Sequence, residues 1–296
     1  MILFSNISWI SMFRKTRIWL IIGVFGLLFT CSIRGNKHSG SYRIEKLAQH
    51  LYAVIDLYHP SPGGTVNAAF LAAQNSLVFI DAGMNRDSAE AIWTEAYKRF
   101  PRKTKNYLIL THFHCDHTFG MGFFKARGAK VIAHREIDPW LDQKKFKKRL
   151  LKTTGKAWTF PQVIAFETYP SPAEAEEILG QVELSSPDVL ITQNQVIEVE
   201  ELKLSVLHVP GHSLDLLAVY EPLSRTLFAS DLVYSGQEPF LHDKTKTGFE
   251  DWIASLKRIR ELPIMKVVPG HGPVSEKNVI DENIRRLELQ LQKFIK

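Results

Sequence analysis

The 296-residue chain is predicted to fold as a single α/β domain, and three observations predict it. Short apolar runs rich in β-formers recur from Ser41 onward. Between residues 77 and 133 such runs alternate with helical periodicity in the order β-α-β-α-β. A dense polar cluster also follows one apolar run directly, at the strand end where open α/β sheets hold their ligands.

Residues 1–40 read as a leader and linker ahead of the domain at 41–296. Phe13-Arg14-Lys15-Thr16-Arg17 forms a basic stretch, Ile18 to Phe29 an apolar stretch, and small residues follow around Cys31 and Ser32. The pattern predicts export. Leu27-Leu28-Phe29-Thr30-Cys31 resembles a lipobox, with Thr30 where Gly, Ala or Ser is usual. Three fates stay open: lipidation at Cys31, ordinary cleavage, or an uncleaved anchor. The expected location is accordingly periplasmic or membrane-anchored, as in a bacterial lipoprotein. Met12 precedes the basic stretch and is an alternative start.

The leader also explains most of the charge. Its Arg14, Lys15, Arg17, Arg34 and Lys37 face no acid, so removing these five from the net +6 leaves +1. A balance so close to neutral predicts no nucleic-acid partner. Cys31 lies in the leader and Cys115 in the polar cluster, which leaves no disulfide framework.

Four strands open the domain: Tyr42 to Leu47, Leu51 to Leu57, Val66 to Ala72 and Leu77 to Asp81. The loop Pro60-Ser61-Pro62-Gly63-Gly64 joins the second and third, either as one wall of a site or as a plain hairpin turn. Ser88 to Phe100 reads as an amphipathic helix with Ala91, Ile92, Ala96 and Tyr97 on one face. Tyr107 to Leu110 is a buried strand that delivers Thr111 to Gly120, THFHCDHTFG. His117 to Lys125 is expected to be helical and Ala129 to Ala133 another strand.

Residues 135–190 interrupt this rhythm and read as an inserted helical lid region. It carries seven basic residues from Lys144 to Lys156 and a helix expected over Pro172 to Leu179. Its basic face suits anionic lipid, an anionic substrate, or simply water. Strands resume at Val196 to Val199, Leu202 to Val209, Leu216 to Tyr220, Thr226 to Ser230 and Met265 to Val268. A Thr247-x-x-Glu250 capping box should start a helix burying Phe249, Trp252, Ile253 and Leu256. A closing helix should bury Ile280, Ile284, Leu287, Leu291 and Phe294.

The polar cluster places His112, His114, Asp116 and His117 within six residues. A His-x-His pair leaving a strand cannot share one helix face, so the loop must turn around something, and a transition metal is the common reason. Three further candidates end strands downstream: His212 after Pro210-Gly211, Asp231 after Ser230, and His271 after Pro269-Gly270.

In that order the seven residues resemble the metallo-β-lactamase fold superfamily of hydrolases, whose pattern is His-x-His-x-Asp-His, a single His, a bridging Asp and a last His. The resemblance spans roughly residues 41 to 273. It implies a four-layer αββα sandwich with two mixed β-sheets flanked by helices. It also implies two metal ions, zinc first and iron or manganese by supply, with His112, His114 and His212 on one, Asp116, His117 and His271 on the other, and Asp231 between. Two such ions about 3.5–4 Å apart acidify a shared water and polarise a scissile bond. Asp116 would orient the hydroxide or accept its proton. Asp81 would support the ligand loop, as an acid does there in the family.

The departures narrow what the resemblance implies. Zinc β-lactamases carry Cys or Ser at the bridging position, so Asp231 speaks against antibiotic hydrolysis. Glyoxalase II-like thioesterases add a helical domain after the last His, where this chain has one helix. RNA-processing members carry further insertions or a helical cap domain. A hydrolase of a small ester, thioester, lactone or amide remains, with a β-lactamase or a mononuclear iron persulfide dioxygenase as alternatives and a non-catalytic binding module as a third class. Cys115 reads as a packed thiol. His242 and Tyr234 could face substrate or be structural.

Overall fold

A computed structural model describes residues 41–59, 64–146, 180–241 and 245–295. Twelve strands are found among them. The first sheet contains β1 (Arg43–Ala48), β2 (Leu51–Tyr58), β3 (Thr65–Ala72), β4 (Ser76–Ile80), β5 (Lys105–Ile109), β6 (Lys130–His134) and β7 (Val189–Ile191), hydrogen-bonded in that order. It is antiparallel from β1 to β4 and parallel from β4 to β7. The second contains β8 (Gln195–Val199), β9 (Leu202–His208), β10 (Leu217–Glu221), β11 (Thr226–Tyr234) and β12 (Lys266–His271), in the order β12-β11-β10-β9-β8. Only β11 and β12 run parallel there. The helices are α1 (Arg86–Arg99), α2 (Cys115–Thr118), α3 (Met121–Lys125), α4 (Lys246–Arg260) and α5 (Asn278–Ile295).

Three apolar layers explain why the strands are apolar on both faces. Val66, Phe70 and Phe79 of the first sheet pack with Ile92 and Ala96 of α1 and with Phe124 of α3. Leu51, Ala53, Ile55 and Leu71 turn the other way, against Leu204, Val206 and Phe228 of the second sheet. Ala218 and Leu227 meet Trp252 and Leu256 of α4 and Ile280 and Leu287 of α5. Side chains alternate across a strand with period two, so the strands between the edges feed two of these layers, while β7 and β8 feed only the one between the sheets. The predicted αββα sandwich is what forms.

Alternation slips once in β2, where Val54 and Leu57 share a layer three residues apart. The β2–β3 register shifts between them, at Asp56, which takes φ +63. A bulge of this kind adds a residue on one strand and restores the pattern beyond it.

Several boundaries differ from expectation. The helix expected over His117 to Lys125 is two short helices, broken at Phe119-Gly120. The cap of α4 is Thr245, whose hydroxyl accepts from Gly248 N–H, so Thr247 lies inside the helix and caps nothing. Strand β11 runs four residues past Ser230 to Tyr234. Phe294 is 48% exposed in the last turn of α5, with its ring against Phe249, while Ile280, Ile284 and Leu287 are buried. Within 135–190, Arg135–Trp140 is a 3₁₀ turn and Val189–Ile191 returns to the first sheet as β7. The helix expected over Pro172 to Leu179, most of the basic run, the loop Pro60 to Gly63, His242, and the leader lie outside the described residues. No helix among the described residues is long and apolar enough to cross a membrane.

Candidate metal centre

The centre sits on the seam between the sheets. Beyond β5 the chain turns through Thr111 to His114, and His114 caps α2 with an extended backbone (φ −61, ψ 147). Thr118 hydroxyl donates back to the His114 carbonyl (2.9 Å), which closes the turn. Asp81, at the end of β4 with φ +63, holds the turn from below. Its Oδ1 accepts from Thr111 N–H (2.8 Å), both oxygens accept from the Thr111 hydroxyl (2.9 Å each), and Oδ2 accepts from His117 Nδ1 (2.8 Å). The left-handed backbone at Asp81 is a strained conformation that such a network sustains.

The second sheet brings the remaining side chains. His212 lies after β9, where a Cβ on Gly211 would fall 2.6 Å from Trp252 Cα, so only glycine lets the loop pass α4. Leu217 N–H donates to the Thr111 carbonyl (2.8 Å), which couples the His212 loop to the first sheet. His271 ends β12 and donates from Nδ1 to the Thr65 carbonyl of β3 (2.5 Å). Asn67 of β3 donates to the carbonyls of Pro269 (2.9 Å) and Gly272 (2.7 Å) on either side of it.

All seven residues expected from the sequence converge, in two groups. His112, His114, His212 and Asp231 offer donor atoms within 4.8 Å of one another, as do Asp116, His117 and His271. His114 Nδ1 lies 3.0 Å from His112 Nε2 and 2.8 Å from His212 Nε2. Asp116 Oδ2 lies 3.4 Å from both His117 Nε2 and His271 Nε2. Asp231 stands between the groups: Oδ2 is 3.2 Å from His212 Nε2 and 3.3 Å from His271 Nε2, and Oδ1 is 3.1 Å from His117 Nε2.

The donor set fits metal ions on three counts. Around a tetrahedral ion with bonds of about 2.0–2.2 Å, donors stand roughly 3.3–3.6 Å apart, close to the spacings here. The outer nitrogens of His117, His212 and His271 donate to Asp81, the Phe240 carbonyl (2.7 Å) and the Thr65 carbonyl. In the neutral rings that ligation requires, this fixes the tautomer and turns each Nε2 lone pair inward. His117 Nε2 and Asp231 Oδ1 are buried without an aligned hydrogen-bond partner, a costly arrangement unless a cation sits there.

The electrostatics agree. Burial pushes His112 and His212 down and His114 to about 3, keeping these imidazoles neutral as ligands must be. Burial works the same way on His117, yet Asp116, Asp231 and Asp81 more than offset it and hold its pKa well above the usual range. At Asp231, burial is outweighed by His271, His117 and His212, which keep the carboxylate ionised. The pocket therefore favours added positive charge beside the carboxylates.

Other expected residues have plainer places. Cys115 is buried in the first apolar layer, and burial pushes its thiol up, away from the reactive thiolate. Tyr234 hydroxyl donates to Asp231 Oδ2 (2.7 Å). Sequence reasoning did not single out His59, at the end of β2, whose Nε2 is 3.8 Å from Asp116 Oδ2 and whose ring stands edge-on to His271. Its signal was its place beside the Pro/Gly loop. Asp215 was missed too: three residues after His212 and nearly fully buried, it faces the Phe113 N–H between two ligands.

An αββα sandwich with paired His/Asp groups on the seam between its sheets defines a class of metal-binding protein. A sequence profile of the metallo-beta-lactamase superfamily matches residues 61–271, and the chain belongs to that family. It is 24% identical over 234 residues to a linear primary-alkylsulfatase from a Pseudomonas strain, covering 73% of this chain but 43% of that one. The chain thus spans less than half of that relative. It is 21% identical over 249 residues to the acyl-coenzyme A thioesterase MBLAC2 of Homo sapiens, covering 78% of this chain and 81% of the relative. Among solved structures, a metallo-beta-lactamase from Pontibacter korlensis superposes with a TM-score of 0.61 at 19% identity, over 83% of this chain and 99% of that one. That likeness is one of fold.

Proposed function

We propose that the chain is a dinuclear metal-dependent hydrolase of a small ester, thioester, lactone or amide, with zinc the expected metal. The supporting observation is the Asp231 carboxylate, whose oxygens reach donors of both groups at 3.1–3.3 Å. His112, His114 and His212 would bind one ion, and Asp116, His117 and His271 the other. Bound there, two divalent ions supply an acidified water and Lewis-acid polarisation of the scissile bond.

The chain's own groups do the rest. Neutral imidazoles on the first group leave its ion electrophilic, while Asp231 offsets part of the charge. Asp116 Oδ2, ringed by His59, His117 and His271, is the carboxylate that would orient the attacking water and accept its proton. Of the seven residues, His114 beside Phe113 and His271 are partly exposed and the others buried, so substrate would approach along the side that these two face. The leader extends the proposal to an exported protein, anchored or released according to the fate of Cys31.

Elemental analysis of the purified chain, with a screen of ester, thioester, lactone, sulfate-ester and β-lactam substrates, tests this. About two zinc per chain with acyl turnover is expected. One iron per chain, no hydrolysis, and oxygen uptake on a persulfide would overturn it in favour of a dioxygenase.

A further inference from the structure

β10 pairs with β11 only as far as Phe228, and beyond it a side chain joins β12 in holding the strand. β11 pairs with β12 in register through Phe228, then shifts at Ser230, which takes φ +47 and pairs with Pro269, and shifts again before Tyr234, which pairs with His271. Beyond the slip Tyr234 turns its backbone to helix α5. Tyr234 N–H donates to Asn283 Oδ1 (3.0 Å), and Asn283 Nδ2 donates to the Tyr234 carbonyl (2.8 Å) and to the Val279 carbonyl of its own helix (2.8 Å). A carboxamide carries the same donor and acceptor pair as a peptide unit, so Asn283 serves as a one-residue strand partner.

Asn283 is 1% exposed, on a helix face otherwise made of Ile280, Ile284 and Leu287. A buried amide among aliphatic neighbours is unfavourable unless paired, and here it is paired three times. An ionised aspartate could replace only the acceptor half, and leucine neither half.

What Asn283 holds is the rear of the metal centre. Tyr234 hydroxyl donates to Asp231 Oδ2 (2.7 Å), and its ring stacks on His271 at 5.3 Å and 15°. The next residue, Ser235, donates its N–H to the His271 carbonyl (3.1 Å). A carboxylate and an imidazole of the centre therefore both lean on Tyr234, and the Tyr234 backbone leans on Asn283.

We propose that Asn283 is a remote positioning residue for this centre. Through Tyr234 it sets the rotation of the Asp231 carboxylate and the plane of His271, and through these the affinity for the ion held with Asp116 and His117. It touches neither ion nor substrate. The inference rests on the dinuclear reading above.

The test uses the full chain with zinc and cobalt(II). Stepwise metal dissociation constants and cobalt absorption spectra are measured for the parent, Asn283→Ala, Asn283→Asp, Tyr234→Phe and the Asn283→Ala/Tyr234→Phe double variant. Asn283→Ala should weaken one of the two ions roughly tenfold to a hundredfold, the range for groups that orient ligands, and shift the cobalt spectrum. Asn283→Asp, which keeps the acceptor and whose buried carboxyl is held neutral by the two facing carbonyls, should lie between. The double variant should be no worse than the weaker single, because both changes break one chain of contacts. If Asn283→Ala does not fold, Asn283→Asp and Tyr234→Phe carry the comparison. Two constants within threefold of the parent, with only the melting temperature lowered, would overturn the relay alone, as would effects that multiply in the double variant. A parent that takes up no metal would overturn the hydrolase reading and the relay with it.

Discussion

Asp81→Asn separates tautomer control from folding. The substitution keeps the shape and replaces one carboxylate oxygen with an NH₂ group. Thr111 N–H needs an acceptor at the Oδ1 position (2.8 Å), and a backbone amide cannot exchange roles, so the amide oxygen must stay there. The NH₂ group then faces His117 Nδ1, where Asp81 Oδ2 had accepted at 2.8 Å. Two donors cannot face each other, but imidazole can move its proton to Nε2. The hydrogen bond survives reversed, and the fold with it. The nitrogen directed at Asp116 and Asp231 now carries a hydrogen and offers no lone pair. Loss of a charged hydrogen bond of this kind is worth about 1.5–3 kcal/mol, so affinity for the second ion should fall roughly tenfold to a hundredfold. Competition with a chromophoric chelator gives the two constants, and a thermal melt should move little. Unchanged affinity for both ions, with the fold intact, would refute the tautomer argument.

Two other substitutions probe the framework. Burial lifts the Asp215 carboxyl from 3.8 to about 7, so the native state binds an extra proton between those values and its stability falls as pH rises through that window. At about 1.4 kcal/mol per pH unit this amounts to roughly 4 kcal/mol. Denaturant titrations should accordingly show Asp215→Asn with a flatter profile from pH 4 to 7, and parallel profiles would contradict the assignment. A Cβ at position 270 would overlap Asp231 Oδ1, so Gly270→Ala should displace that carboxylate, cost about 1–3 kcal/mol of stability and lower metal stoichiometry. Two retained ions at the parental melting temperature would show that the carboxylate has room to move.

The candidate centre was legible because four of its seven residues are local and the others follow short turn motifs. His112 to His117 crowd one turn, and Gly211 and Gly270 flag close backbone passages just before His212 and His271. Strands were legible by their apolar runs, since a sheet covered on both faces leaves little polar residue within it. Features that depend on a distant partner were not. Asn67 and Asn283 look like ordinary polar residues until Pro269, Gly272 and Tyr234 are brought to them. Thr245 and Thr247 both stand at the start of an apolar-periodic run, and the spacing rule favoured Thr247, although it is Thr245 that accepts from Gly248 N–H and caps α4, with Thr247 already inside it. Phe294 obeys the helical period but lies where α5 has outrun its apolar partners. The continuation of β11 needs Ser230 at φ +47, which no composition rule anticipates for serine.

The seam placement has a consequence in time. His112 comes from the first sheet and His271 from the last strand of the second, with Asn67 and Thr65 reaching across to seat it. Neither group of donors exists on a half-made chain, because His212 and Asp231 complete the first group and His271 the second. On the proposed dinuclear reading, ion capture would therefore be a late event that reports finished docking, and the ions would rivet shut the joint that admitted them.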